Sequence, residues 1–444
     1  MENKVKESTE AEVRAAVTKA KAAQEKWRSI GLEERIKVLR KLHAELSKRR
    51  EELALLETKE MGKPIKESLS LDIDSGLDYF KWYLDNAQKY ISPEVTFEDD
   101  KSKHTVYYEP TGTTAVISPW NFPFSNFVWG VAANLVVGNT VVYKHSEECI
   151  LFGKRIEEIV NKVLPKGVFY VVHGGPKVGK LLINQDVDLI CFTGSAEVGQ
   201  QIYQTAAKKF IKVVLELGGS APGLVFEDAD LDSVMESIYF NRFFNCGQVC
   251  DGLKRLLVHK SIFDRVVEGL KQTIRSKKVG NPEDKDTDIG PLVSEKQLKT
   301  LEAQVKDAVD KGAKVVIGGK HVENLAGPYY EPTLLTNVKP DMKVWREEVF
   351  GPVLPIVPFS SEDEAIRLAN DTSYGLGAYI FTRDKEKALR VAGKLQTGMV
   401  AVNNTTYVMP CNPFGGYKKS GIGREHGKYG LRELCQVKVI SIDK

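Results

Sequence analysis

Apolar residues recur at helical spacing through the first part of the chain. Leu32, Ile36, Leu39, Leu42 and Leu46 step by three and four onto one face, and residues 9–90 read as helices. From about residue 113 the pattern changes to short β-branched runs: 114–118 (TAVIS), 140–143 (TVVY), 168–172 (VFYVV), 187–191 (VDLIC) and 213–217 (VVLEL). Helix-length segments separate them, which is the signature of βαβ units around a buried parallel sheet. A second alternating series begins near 222. It predicts strands at 255–259, 313–317, 353–358, 376–381 and 397–402, with helices near 229–244, 261–277, 295–311, 361–370 and 384–394. The stretch 434–442 (LCQVKVISI) reads as a lone strand that needs a partner, either 103–109 or another subunit. Two α/β domains in sequence are therefore expected.

Composition narrows the class. A chain of 444 residues leaves room for about three compact units. Charged residues make up 28% and the net charge is only +3, so no nucleic-acid or membrane partner is expected. Residues 110–143 carry no charge, but Pro110, Pro119 and Pro123 break the run, and Asn121, Asn126, Asn134 and Asn139 punctuate it. It reads as buried backbone rather than a membrane span. The six cysteines are scattered without a CxxC pair, and none of the seven histidines forms HExxH. No metal site or disulfide framework is expected, and a reducing cytoplasm fits. The first residues lack the apolar core of a secretory signal.

Five segments carry candidate chemistry. Gly174–Lys180 (GGPKVGK) matches the start of a phosphate-binding P-loop, but Leu181 stands where the magnesium-binding hydroxyl should be. A glycine-rich turn close to a cofactor, or a plain turn, is the better reading. Phe192-Thr193-Gly194-Ser195 follows a strand and opens a helix, so it suits either a phosphate or a simple N-cap by Ser195. Phe244–Cys250 (FNCGQVC) places Cys250 in a Gly/Gln-flanked loop, with Gly247 loosening the chain before it. A cysteine there is either core packing or an accessible nucleophile needing a base. Glu216 ends an apolar strand, where an acid is either structurally paired or poised with a raised pKa. Pro119-Trp120-Asn121-Phe122-Pro123 pins Asn121 between two prolines, as an oxyanion donor or a turn residue.

Taken together, the chain resembles the aldehyde dehydrogenase superfamily from about residue 10 to its end. The resemblance rests on PWNFP at 119–123, FTGS at 192–195, ELGG at 216–219 and GQVC at 247–250, followed by EEVFGPV at 347–353, YGLGAYIF at 374–381 and PFGGYKKSGIGRE at 413–425. It implies two Rossmann-like parallel-sheet domains plus a small β-ribbon oligomerisation element. The cofactor domain would be 1–91 and 111–219, the catalytic domain 220–419, and the oligomerisation element 92–110 and 420–444. It also implies Cys250 as nucleophile, Glu216 as general base, Asn121 with the Cys250 N–H as oxyanion hole, and Glu425 as a proton-relaying carboxylate. The implied cofactor set is Trp120, Lys144, Glu147, Gly175, Phe192, Gly194, Ser195, Leu217, Glu348 and Phe350. Lys144 and Glu147 would hold the adenine ribose, and Glu348 and Phe350 the nicotinamide ribose.

The implied reaction is NAD(P)-dependent oxidation of an aldehyde through a cysteine thiohemiacetal and a thioester that Glu216 helps water to hydrolyse. Coenzyme A-acylating relatives commonly lack an acid at that position, and retention of Cys250, Glu216 and Asn121 argues against a silent structural protein. Glu147 favours NAD by repelling a 2′-phosphate, while Lys177 and Lys180 could neutralise one. Relatives that take succinate semialdehyde grip its carboxylate with arginines at positions that are Trp129 and Phe244 here. A pocket of Phe122, Trp129, Phe244 and Phe414 would favour an apolar or aromatic aldehyde. Arg242 would be turned about 160° from Phe244 on a helix. Against this, His145 and the short chain are similar to a compact succinate-semialdehyde subgroup, the alternative reading. A homodimer or homotetramer is implied.

Overall fold

The computed structural model describes residues 6–444. The expected amino-terminal helices form at Glu10–Ser29, Gly31–Ser47, Arg50–Met61 and Ser75–Ile91. Leu39, Leu42 and Leu46 are completely buried on the face that their spacing predicts. These helices pack against a six-stranded sheet ordered Gly421–Ile422, Lys212–Glu216, Leu189–Thr193, Thr113–Ile117, Thr140–Lys144, Phe169–Val171. Only Gly421–Ile422 is antiparallel. The chain winds one way from Thr113–Ile117 to reach Thr140–Lys144, and the other way to reach Leu189–Thr193. That reversal opens a crevice at the carboxyl ends of these strands, where PWNFP and FTGS emerge.

The second sheet runs Lys314–Ile317, Thr333–Thr336, Val353–Phe359, Leu253–His259, Ala221–Val225, Tyr379–Phe381, Ala401–Val402. It is parallel except at Lys314–Ile317. Both sheets are therefore α/β with parallel cores, as the pattern implies. The uncharged stretch after Thr113–Ile117 is a helix over Pro123–Val137 with a π-helical turn at Val128–Ala132, buried apart from partly covered Trp129.

Some expectations change. Ala221–Val225 and Thr333–Thr336 are strands that the reading missed. Pro222 and Gly223 disguise the first, and the register shift at Ala221/Pro222 accommodates proline's missing N–H. The terminal strand Cys435–Asp443 pairs antiparallel with Ser102–Pro110, which also pairs with Glu94–Glu98, giving a separate three-stranded ribbon. Residues 420–434, expected in that ribbon, lie elsewhere. Gly421–Ile422 adds to the first sheet, and the helix Gly427–Glu433 packs on Ser75–Ile91. Among the described residues, no helix is long and apolar enough to cross a membrane.

Candidate active site

A cavity of about 500 Å³ lies between the two parallel sheets' ends and brings most of the singled-out residues together. Cys250, Glu216, Asn121 and Glu425 all line it. So do Trp120, Gly194, Ser195, Leu217, Glu348 and Phe350, and the aromatic residues Phe122, Trp129, Phe244 and Phe414. Lys144, Glu147 and Gly175 form a separate group at neighbouring strand ends, and Phe192 sits beneath Gly194.

The Cys250 loop is built by backbone strain held in place by hydrogen bonds. The helix Leu231–Phe243 stops, and Asn245, Cys246 and Gly247 take φ values of 50°, 55° and 69°. Left-handed backbone at non-glycine residues costs on the order of 1 kcal/mol each and survives only where neighbours enforce it. Here Asn245 donates its side-chain amide to the carbonyls of Asn121 (2.9 Å) and Gln248 (3.2 Å). Its backbone N–H donates to Glu67 at 2.7 Å. Arg242, fully buried, donates to the carbonyls of Val353 (2.9 Å) and Val349 (3.1 Å) and also to that of Gly351. One sequence expectation is thereby corrected. Gly247 does not loosen the loop, because a Cβ there would strike the Gly351 backbone and the segment is clamped. Arg242 stays out of the cavity, as its helical spacing from Phe244 predicts, and carbonyls at its back consume its guanidinium.

Asn121 donates one N–H to the Gln248 carbonyl at 3.2 Å, which lays its amide against the Cys250 loop. The amide's other N–H has no protein partner among the described residues, and Asn121 lines the cavity. Glu216 ends the strand Lys212–Glu216, and both of its carboxylate oxygens are buried without a hydrogen-bond partner. Burial, then the nearby Glu425, push its pKa well above the ordinary carboxylate range. Burial raises Glu425 to about 7. The Cys250 thiol is partly exposed to the cavity, and its pKa is raised by burial and then by Asp251, with Lys254 opposing. Cys246 is buried at 1% exposure, with its thiol pKa also raised by burial. The thiol donates to Oδ1 of Asp251 at 3.9 Å, and Glu216 is near enough to add to the rise in its pKa.

The residues that would hold a dinucleotide fit one. Ser195 accepts from the Val198 N–H at 3.4 Å and caps the helix Ala196–Lys209, so the N-cap reading is correct and the helix's first amides face the cavity. A Cβ at Gly218 would fall on Oε2 of Glu348, and one at Gly194 on the Phe192 ring, so both glycines keep a cradle open. Lys144 pairs with Glu147 at 2.9 Å. The glycine-rich turn is no P-loop: its Gly175 N–H donates to the Glu7 carboxylate at 3.0 Å, and Lys177 and Lys180 are exposed.

Phe122 and Phe244 approach to 6.1 Å between ring centroids, Trp129 stacks on Phe414 at 6.3 Å, and Phe240 lies flat on Phe244 at 4.9 Å. No lysine, arginine or histidine lines the cavity among the described residues. Sequence reasoning missed Phe240, Asp251, Tyr379 and the Thr405–Val408 loop, which also line it. Only Tyr379 lay within a recognised motif.

Residues 2–440 match the model of the aldehyde dehydrogenase family. The chain belongs to that family. It is 38% identical over 428 residues to the mitochondrial succinate-semialdehyde dehydrogenase of rice, spanning 96% of this chain and 81% of the relative. The structure of an NADP-dependent enzyme of Escherichia coli matches with a TM-score of 0.95 at 35% identity, over 99% of this chain and 92% of that one. Betaine aldehyde dehydrogenase of Staphylococcus aureus, solved with NAD+, matches at 0.94 and 36%, over 98% and 88%. This aldehyde dehydrogenase oxidises an aldehyde to its carboxylic acid with NAD or NADP.

Proposed function

We propose that Cys250 is the nucleophile and Glu216 the general base for oxidation of aldehydes with apolar or aromatic tails. The observation that carries this reading is one cavity in which Cys250, Glu216 and Asn121 meet aromatic walls without a cationic side chain among the described residues. Cys250 attacks the aldehyde carbon, and the developing oxyanion accepts from the free Asn121 N–H and the Cys250 backbone N–H. The nicotinamide, when bound, supplies the hydride acceptor. Glu216 then takes a proton from the water that opens the Cys250 thioester, and Glu425, also in the cavity lining, relays it. Lys144 and Glu147 hold the adenine ribose. Two carboxylates, Glu147 and Glu7, lie near Gly175, which favours NAD over NADP by repelling a 2′-phosphate.

The succinate-semialdehyde alternative rests on relatives that carry that name and on His145, which the structure buries beneath Gly153. A distal carboxylate would enter this cavity without a cation to pair it, at a cost of roughly several kcal/mol. We expect kcat/KM to be higher for hexanal and benzaldehyde than for succinate semialdehyde, and higher with NAD than NADP. A clear win for the semialdehyde would overturn the substrate reading, and a preference for NADP the cofactor reading.

A further inference from the structure

Lys254 is a buried cation beside the thiol loop that the mechanism above leaves unused. It is the second residue of the strand Leu253–His259, four positions after Cys250, and its side chain is 1% exposed. An ammonium has three N–H bonds and no acceptor, and leaving one unmade in a buried site is costly. All three are used here. Lys254 Nζ donates to the Cys250 carbonyl at 2.7 Å, the Gly219 carbonyl at 2.9 Å and Oε1 of Glu348 at 2.5 Å. Oε1 also accepts from the Gly219 N–H at 3.1 Å, so that oxygen is fixed twice. The other oxygen, Oε2, lies over Gly218, which lines the cavity.

The lysine therefore joins three parts that are far apart in sequence. These are the residue bearing the thiol, the turn after Glu216, and the carboxylate read as the partner of the nicotinamide ribose. We propose that Lys254 is a positioning residue. It fixes Glu348 in the rotamer that presents Oε2 to the ribose, and by gripping the Cys250 carbonyl it sets the distance between the thiol's carbon adduct and the ring that accepts its hydride. This rests on Glu348 being the ribose-holding residue. A lysine placed only for packing would have its chain buried and its ammonium in water. Here the ammonium is the buried end.

The test uses the full-length enzyme with Lys254→Gln, Glu348→Gln and the double variant, each checked by thermal melting. The readouts are cofactor Kd and the primary deuterium isotope effect on kcat with a 1-deuterated aldehyde. Misplacement of hydride donor and acceptor slows that step alone, so the isotope effect should rise in both single variants. Cofactor Kd should weaken about tenfold in each, and the double variant should be no worse than Glu348→Gln alone, because residues acting as a unit are not additive. If Lys254→Gln folds poorly, Lys254→Ala assayed with added ethylammonium replaces it, and recovery of kcat with rising amine is the expected result. Full additivity, an unchanged isotope effect in a folded variant, or no rescue by the amine would overturn the positioning role. If Glu348→Gln itself leaves cofactor Kd unchanged, the ribose assignment fails instead.

Discussion

Two carboxyls decide much of the chemistry at the residue scale. Glu425 is half-buried in the cavity wall, and desolvation there holds its pKa at about 7, against 4.5 in an unfolded chain. The folded state thus keeps its proton to higher pH than the unfolded state. Its contribution to stability is full below the unfolded value and is lost as pH rises through the folded one. Glu425→Gln removes the titration while keeping the shape. The variant should melt higher than wild type at about pH 8, and the gap should shrink towards about pH 5, as read by differential scanning fluorimetry. A gap independent of pH would show that Glu425 is not the group that titrates. Cys250 and Cys246 differ for a related reason. They are four positions apart, yet only Cys250 opens to the cavity.

Among the elements, the Cys250 loop shows why sequence spacing reveals some residues and hides others. PWNFP, FTGS, ELGG and GQVC were legible because each is a local turn whose prolines or glycines announce its geometry. Arg242 and Lys254 were not, because most of the carbonyls and the carboxylate that they hold come from residues roughly 35 to 110 positions away in the chain. Asp251 and the Thr405–Val408 loop were hidden likewise, since neither has a periodicity that points at a cavity. Ala221–Val225 escaped because Pro222 and Gly223 read as turn residues inside a strand. The clamp by Arg242 carries its own prediction. Arg242→Ala would strand buried carbonyls at Val349, Gly351 and Val353, costing on the order of 3 kcal/mol and lowering kcat by releasing the loop. Denaturant unfolding with parallel kinetics checks this, and a melting point near wild type would mean that other contacts hold the loop.

Across the whole molecule, the ribbon stands apart from the two parallel sheets as a sheet of its own. Val437, Val439 and Ile442 on its terminal strand are 63%, 60% and 58% exposed, far more than an isolated chain gains from leaving in water. Val437 and Val439 share one face of the strand and Ile442 lies on the other, and the sequence expectation of a homodimer or homotetramer assigns the ribbon to a second copy. Val439→Asp should lower the mass in light scattering while leaving the fold intact, and an unchanged mass would remove the ribbon from the assembly. The proposed reaction turns on a division of labour between Cys250 as nucleophile and Glu216 as base. Its most direct test is mass spectrometry of Glu216→Gln after mixing with hexanal and oxidised cofactor. The result expected is one burst of reduced cofactor with a hexanoyl group on the peptide carrying Cys250. An unmodified Cys250, or the acyl group on another residue, would contradict it.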